Sequence, residues 1–164
     1  MNRIWALSLG IVGIILTDQI TKGVIQSHFS YGDSVVVIDG LFNLTYVRNT
    51  GGAFGLFAMA DSYVRSVLFL IFPVLACLWL VWLVWTHRKK EILPGIVYSL
   101  ILAGAVGNLI DRFAYGYVVD FLDFHWKNSH FPAFNVADSA ISVGAFLLIV
   151  DAFLQGKKGQ KTNA

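Results

Sequence analysis

Apolar residues run along this chain in four blocks, and most polar residues fall between them. The blocks are Ile4–Ile25, Val64–Trp85, Ile92–Ile110 and Val136–Phe153. Each approaches the roughly 20 residues a helix needs to cross hydrocarbon. The pattern predicts a membrane protein, mainly α, built as a bundle of four transmembrane helices. Arg3 precedes the first block, as a basic residue precedes a secretory leader. That block continues through Asp18 and Lys22 without a small-x-small cleavage site, so an uncleaved first span is expected.

Two connecting segments carry a different pattern. In Val35-Val36-Val37-Ile38-Asp39-Gly40-Leu41-Phe42-Asn43-Leu44-Thr45-Tyr46-Val47, β-branched and aromatic runs flank Asp-Gly. Asp-Gly suits a type I′ turn, so the segment predicts a hairpin within a small β platform at about 30–60. Arg48-Asn49-Thr50-Gly51-Gly52-Ala53-Phe54-Gly55 follows, glycine-rich enough for backbone to approach a ligand closely. The second segment, Phe113 to Asn135, carries Asp120, Asp123, His125, His130 and Pro132.

Composition agrees with the pattern: 57% of the 164 residues are hydrophobic and 13% charged, where a soluble domain carries about a quarter. A single domain is expected. The net charge of +2, with no basic cluster among aromatics, gives no reason to expect nucleic acid. The placement of the charges is more informative. Arg3, then Arg88, Lys89 and Lys90, then Lys157, Lys158 and Lys161 in a polar tail at about 156–164 fall on one side of a four-span chain. The positive-inside rule makes that side cytoplasmic, with both termini inside and the β platform outside. Trp79, Trp82 and Trp85 suit an aromatic belt at the cytoplasmic end of the second span. Cys77, alone in an apolar run, reads as helix packing rather than a nucleophile.

Ionisable residues inside spans mark candidate sites. Asp18 and Lys22 lie four apart, acid first, as a mutually neutralising pair would. Asn108, Asp111 and Arg112 share one face by helical spacing. Asp111 and Arg112 suit an ion pair at the membrane edge, while the Asn108 amide and the Arg112 guanidinium equally suit the carbonyls and carboxylates of a bound peptide. Asp120 lies in an apolar strip that favours its neutral form. Asp138 lies in the first turn of the fourth span, with Asn135 as N-cap, where the helix dipole favours a carboxylate. Brought together, two such acids can share a proton and act as acid and base. Alternation along Val119–Phe124 sends Asp120 and Asp123 to opposite faces, and spacing does not choose between them. His125 and His130 lack a zinc-motif spacing. A dyad of Lys22 with Ser139 or Ser142 has no marked serine, and a proton-coupled transporter would place its ionisable groups nearer mid-bilayer.

Five blocks now stand in one order: Asp18-Gln19 with Lys22, Asn49-x-Gly51-x-Ala53-Phe54, Gly107-Asn108-x-x-Asp111-Arg112, Val119-Asp120-Phe121, and Phe134-Asn135-x-Ala137-Asp138. Together they closely resemble the lipoprotein signal peptidase family, also called signal peptidase II. The resemblance implies a metal-independent aspartic endopeptidase of the bacterial inner membrane, with no cofactor. Its substrates would be prolipoproteins, cut just before a diacylglyceryl-modified cysteine at the extracytoplasmic membrane interface. The catalytic pair would be Asp120 and Asp138, which selects Asp120 over Asp123. Asn49, Asn108, Arg112 and Asn135 would line the substrate site, which also takes the cyclic peptide inhibitor globomycin. Asp18, Lys22, Asp111, Gly51 and Phe54 would support it, and membrane lipid would surround it.

Overall fold

The computed structural model describes residues 3–51, 61–87 and 92–162. Helix α1 runs over Arg3–His28; strands β1, Ser34–Ile38, and β2, Phe42–Asn49, follow. Helix α2, Ser62–Ser66, passes through a π turn, Val67–Ile71, into α3, Phe72–His87. Then come α4, Ile92–Tyr115, strands β3, Val118–Trp126, and β4, Ser129–His130, and helix α5, Val136–Thr162. Four of the helical stretches are long and apolar enough to span a membrane. Phe54, with Gly52, Ala53 and Gly55, lies outside the described residues, as do Arg88, Lys89 and Lys90.

Helix α4 is the centre of the bundle. Of its spanning window 56% is buried, against 11%, 11% and 17% for the others. Between helices in lipid the hydrophobic effect is weak, so close backbone approach through small residues drives packing. Here Gly104 faces the Ala137 carbonyl so closely that a Cβ would collide with it, and Gly144 meets Ile101 and the Val97 carbonyl in the same way. Gly107 leaves room for the Asp18 carboxylate. At the opposite end from the sheet, Leu7, Leu80, Val84 and Leu102 form an apolar cluster.

The π turn has a local cause. Pro73 has no N–H for the Phe69 carbonyl, and its ring crowds that carbonyl, so the helix widens before it. Phe72 N–H bonds the Val67 carbonyl, five residues back. At its far end α4 continues to Tyr115, past the expected limit of Ile110, so Asp111 and Arg112 lie within a regular helix. Gly116, at φ 77°, ends it with its N–H on the Arg112 carbonyl. Helix α5 likewise extends beyond the expected span, to Thr162.

One antiparallel sheet of order β1-β2-β3-β4 caps this end of the bundle. The first connecting segment forms the expected hairpin, but not through a type I′ turn. Only Gly40 has positive φ, 69°, while Asp39 does not, so Asp39–Leu41 make a longer turn closed by Leu41 N–H on the Ile38 carbonyl. The second connecting segment supplies β3 and β4, which extend the same sheet. Val119 and Phe121 pack with Ile25 and Tyr46 on one face of β3. Val118 and Asp120 line a cleft on the other.

Candidate active site

The site begins with a buried charge. Lys22, 2% exposed, reaches Asp18 at 2.8 Å and, from α4, Asp111 at 3.0 Å. Its Nζ also donates to Asn108 Oδ1, 3.0 Å away. Two carboxylates against one ammonium leave an excess negative charge that neutral donors must meet. Gln19 Nε2 donates to Asp111 Oδ1 at 2.9 Å and lies within 3.2 Å of Asp18 Oδ2. The Val119 N–H donates to Asp111 Oδ2 at 3.0 Å, and the Ala137 N–H to Asp18 Oδ1 at 2.8 Å. Asp18 therefore neutralises the positive end of α5 while tying α1 to it. The i,i+4 pair read from spacing is half of a larger knot. Asp111 joins it and makes no ion pair with Arg112.

From this knot a chain of amides leads to Asp120 and Asp138. Asn108, with its Oδ1 held by Lys22, presents Nδ2 to Asp138 Oδ1 at 2.7 Å. Asn135 caps α5 reciprocally: the Asp138 N–H donates to Asn135 Oδ1 at 2.8 Å, and the Asn135 N–H to Asp138 Oδ2 at 3.3 Å. The Asn135 Nδ2 then donates to Asp120 Oδ1 at 2.7 Å. Asn49, from β2, donates to Asp120 Oδ2 at 3.0 Å. Each oxygen of both carboxylates thus has an N–H donor from the protein. Asn135 is fully buried behind the acids, and its side chain bonds both residues.

Burial, and next the charge of Asp138, push the Asp120 carboxyl up to about 7, against the hydrogen bonds of Asn49 and Asn135. Both acids open onto a cleft of about 650 Å³. Asn49, Asn108 and Arg112 line it on the polar side; Phe69, Pro73, Ile141 and Val143 supply apolar wall. Arg112 donates Nη2 to the Gly51 carbonyl at 3.2 Å and stacks its guanidinium over Phe69 at 5.3 Å. The Gly51 N–H in turn donates to Asn49 Oδ1 at 3.0 Å. Phe69 and Pro73 carry no signal of a site except the proline itself, an irregularity inside an apolar span. Gln19 is marked only by standing beside Asp18.

The rival carboxylate and histidines lie elsewhere; Ser139 and Ser142 line the cleft. Asp123 points to the opposite face of β3, where it accepts from Asn43 at 3.0 Å and pairs with His130 at 2.8 Å. His125 stacks on His130. Lys22 is committed to its two carboxylates, and Ser139 Oγ donates to the Asn135 carbonyl. Among the described residues no group of His, Cys, Asp and Glu side chains is arranged to hold a metal ion.

These features define a multi-pass membrane protein with two carboxylates, joined through Asn135, in a mostly apolar cleft at the sheet end of its bundle. The sequence pattern of the family described as Signal peptidase (SPase) II matches residues 10–154. The lipoprotein signal peptidase of Syntrophus aciditrophicus is 42% identical over 145 residues, covering 88% of this chain and 90% of that protein. That of Shewanella pealeana is 44% identical over 153 residues, covering 93% and 89%. The fold is also similar to a bacterial membrane enzyme solved by the in meso method at 2.3 Å resolution, with TM-score 0.79 and 33% identity over 94% of this chain and 90% of that one. The chain belongs to the signal peptidase II family, whose members are peptidases that remove signal peptides from prolipoproteins.

Proposed function

We propose that Asp120 and Asp138 are the catalytic dyad of this peptidase and act without a metal. The observation that carries the reading is their shared cleft and contrasting support. Asp138 is held in the first turn of α5 by Asn108 Nδ2 and the Asn135 N–H, whereas buried Asp120 keeps its proton to about pH 7. The Asp138 carboxylate takes a proton from a water as the water oxygen attacks the scissile carbonyl carbon. The Asp120 acid hydrogen-bonds the carbonyl oxygen as negative charge develops there. As the C–N bond breaks, a proton from the dyad passes to the departing amine nitrogen. Asn135 and Asn108 hold the two acids in place, while Arg112 and Asn49 bind substrate backbone at the cleft edge.

The substrate in this reading is a prolipoprotein with a diacylglyceryl-modified cysteine, cut on the N-terminal side of that residue. An apolar wall between α3 and α5 suits a lipid-bearing segment arriving from the bilayer, and a globomycin-type peptide would compete for the same cleft. Orientation follows the basic residues: termini in the cytoplasm, cleft near the extracytoplasmic face of the bacterial inner membrane. The test is cleavage of a diacylglyceryl-modified precursor by purified protein, with and without chelator. Cleavage that survives the chelator and is lost in Asp120→Asn supports the dyad. Chelator-sensitive cleavage, or an active Asp120→Asn protein, would overturn it. A C-terminal reporter found outside the cell would overturn the orientation.

A further inference from the structure

Arg48 and Asn49 are neighbours on β2, and strand alternation sends them to opposite faces. Asn49 goes to Asp120. Arg48 enters a cage of tyrosines. Its guanidinium carbon lies 5.3 Å from the Tyr31 ring centre, 5.2 Å from that of Tyr46 and 5.0 Å from that of Tyr117. Its Nε–H donates to the Tyr46 hydroxyl at 3.0 Å, and that hydroxyl shares a hydrogen bond with the Tyr117 hydroxyl at 3.3 Å. Tyr117 stacks on Tyr115, in the last turn of α4. Tyr46 packs on Ile25, near the end of α1.

Two spanning helices end at this cage, so it lies at the level where hydrocarbon gives way to headgroups. Exposed aromatics mark the same level: Tyr31, Phe113 and Tyr115 are 63%, 66% and 51% exposed, as in an interfacial aromatic belt. Arg48 is itself an exposed residue. Of its donors, Nε–H alone meets an acceptor among the described residues, and no carboxylate there pairs with it. The ring faces hold the fork in one orientation with its remaining N–H groups unused. A phosphate matches that fork bidentately, and phosphate is the anion that headgroup level supplies in bulk. The ordering cost of such a site is met before the ligand arrives.

We propose that Arg48 and its tyrosine cage form a binding site for the phosphate of a membrane phospholipid, separate from the cleft. A bound headgroup would pin β2 to the membrane surface on the face opposite Asn49. The site rests on the helices spanning a membrane, and not on the chemistry of the cleft.

Native mass spectrometry of the detergent-solubilised protein tests this with three probes: dioleoyl phosphatidylglycerol, dioleoylglycerol and inorganic phosphate. The wild type is expected to retain the phospholipid at least ~5-fold more tightly than Arg48→Gln, the effect of one interfacial cation. Both proteins should hold dioleoylglycerol equally weakly. Arg48→Lys keeps the charge without the fork and should fall between them. Tyr31→Ala removes an exposed ring, leaves the core untouched, and should weaken retention about 2- to 5-fold. Equal retention by wild type and Arg48→Gln would overturn the site. So would dioleoylglycerol held as tightly as the phospholipid. Inorganic phosphate bound in preference to phosphatidylglycerol would overturn the assignment to lipid.

Discussion

The two ends of the bundle are held together by different physics. At one end Leu7, Leu80, Val84 and Leu102 meet through apolar contact alone. At the other, Asp18, Lys22, Asp111, Asn108 and Asn135 meet through directed hydrogen bonds and ion pairs. Apolar contact tolerates small rearrangements, since any neighbour of the right volume serves. A buried polar knot does not, because removing one member strands the others. The second end is where the acids are held, and the knot is what holds them: Lys22 fixes Asn108, Asn108 fixes Asp138, and Asp18 fixes the start of α5.

This contrast can be broken at its sharpest point first. Asp138→Asn keeps the shape of the site and removes the base, so turnover of a lipidated precursor should fall by about 10²–10⁴-fold with unfolding in mixed micelles little changed. Near-normal turnover would sink the dyad. Lys22→Met leaves two buried carboxylates without a cation and should cost about 3–5 kcal/mol of stability, with activity lost alongside. A stable, active Lys22→Met protein would show that the knot is dispensable.

At the apolar end, Leu102→Ala should cost about 2–4 kcal/mol while kcat in the remaining folded protein stays the same. A large fall in kcat would mean that the two ends are not separable. Gly104→Ala pushes against the Ala137 carbonyl and should cost about 1–3 kcal/mol. Because Asp138 rides on the displaced helix, a kcat loss out of proportion to the stability loss is expected. Smallest is a shift in pH dependence. Asp120 holds its proton up to about 7, so as the acid of the pair it loses activity as pH rises through that value. The hydrogen bond from Asn49 opposes the upward shift, so Asn49→Ala should move the alkaline limb to higher pH. A limb that moves down, or a profile flat from pH 5 to 9, would contradict the assignment.

Much of this molecule is readable from local pattern. Spans follow from apolar length, and the Asp18–Lys22 pair follows from i,i+4 spacing. Asn135 and Asp138 follow from the rules of a helix start, and the parity of Asp120 against Asp123 from strand alternation. What resists reading is partner choice across elements. Nothing in the spacing of Asp111 says that it will reach Lys22 rather than Arg112, because that depends on how α4 is turned against α1. The glycines at 104 and 107 set the approach of the packed helices, but only the assembled bundle reveals which carboxylate it admits. The same holds for Asn49, whose reach to Asp120 requires β2 to pair with a strand from the other connecting segment. The turn at Asp39-Gly40 shows the limit in miniature: the residues mark a turn and leave its type to the strands around it.

The bond from the Ala137 N–H to Asp18 has a consequence for the order in which the protein is made. Helix α1, which carries the carboxylate, is made before α5, whose amide answers it 119 residues later. Until α5 enters the bilayer, the chain has Lys22 and its acids in place but no Asp138 and no partner for that oxygen of Asp18. A chain without α5 therefore lacks one member of the proposed dyad. With the proposed dyad, the cleft is complete only once α5 has docked.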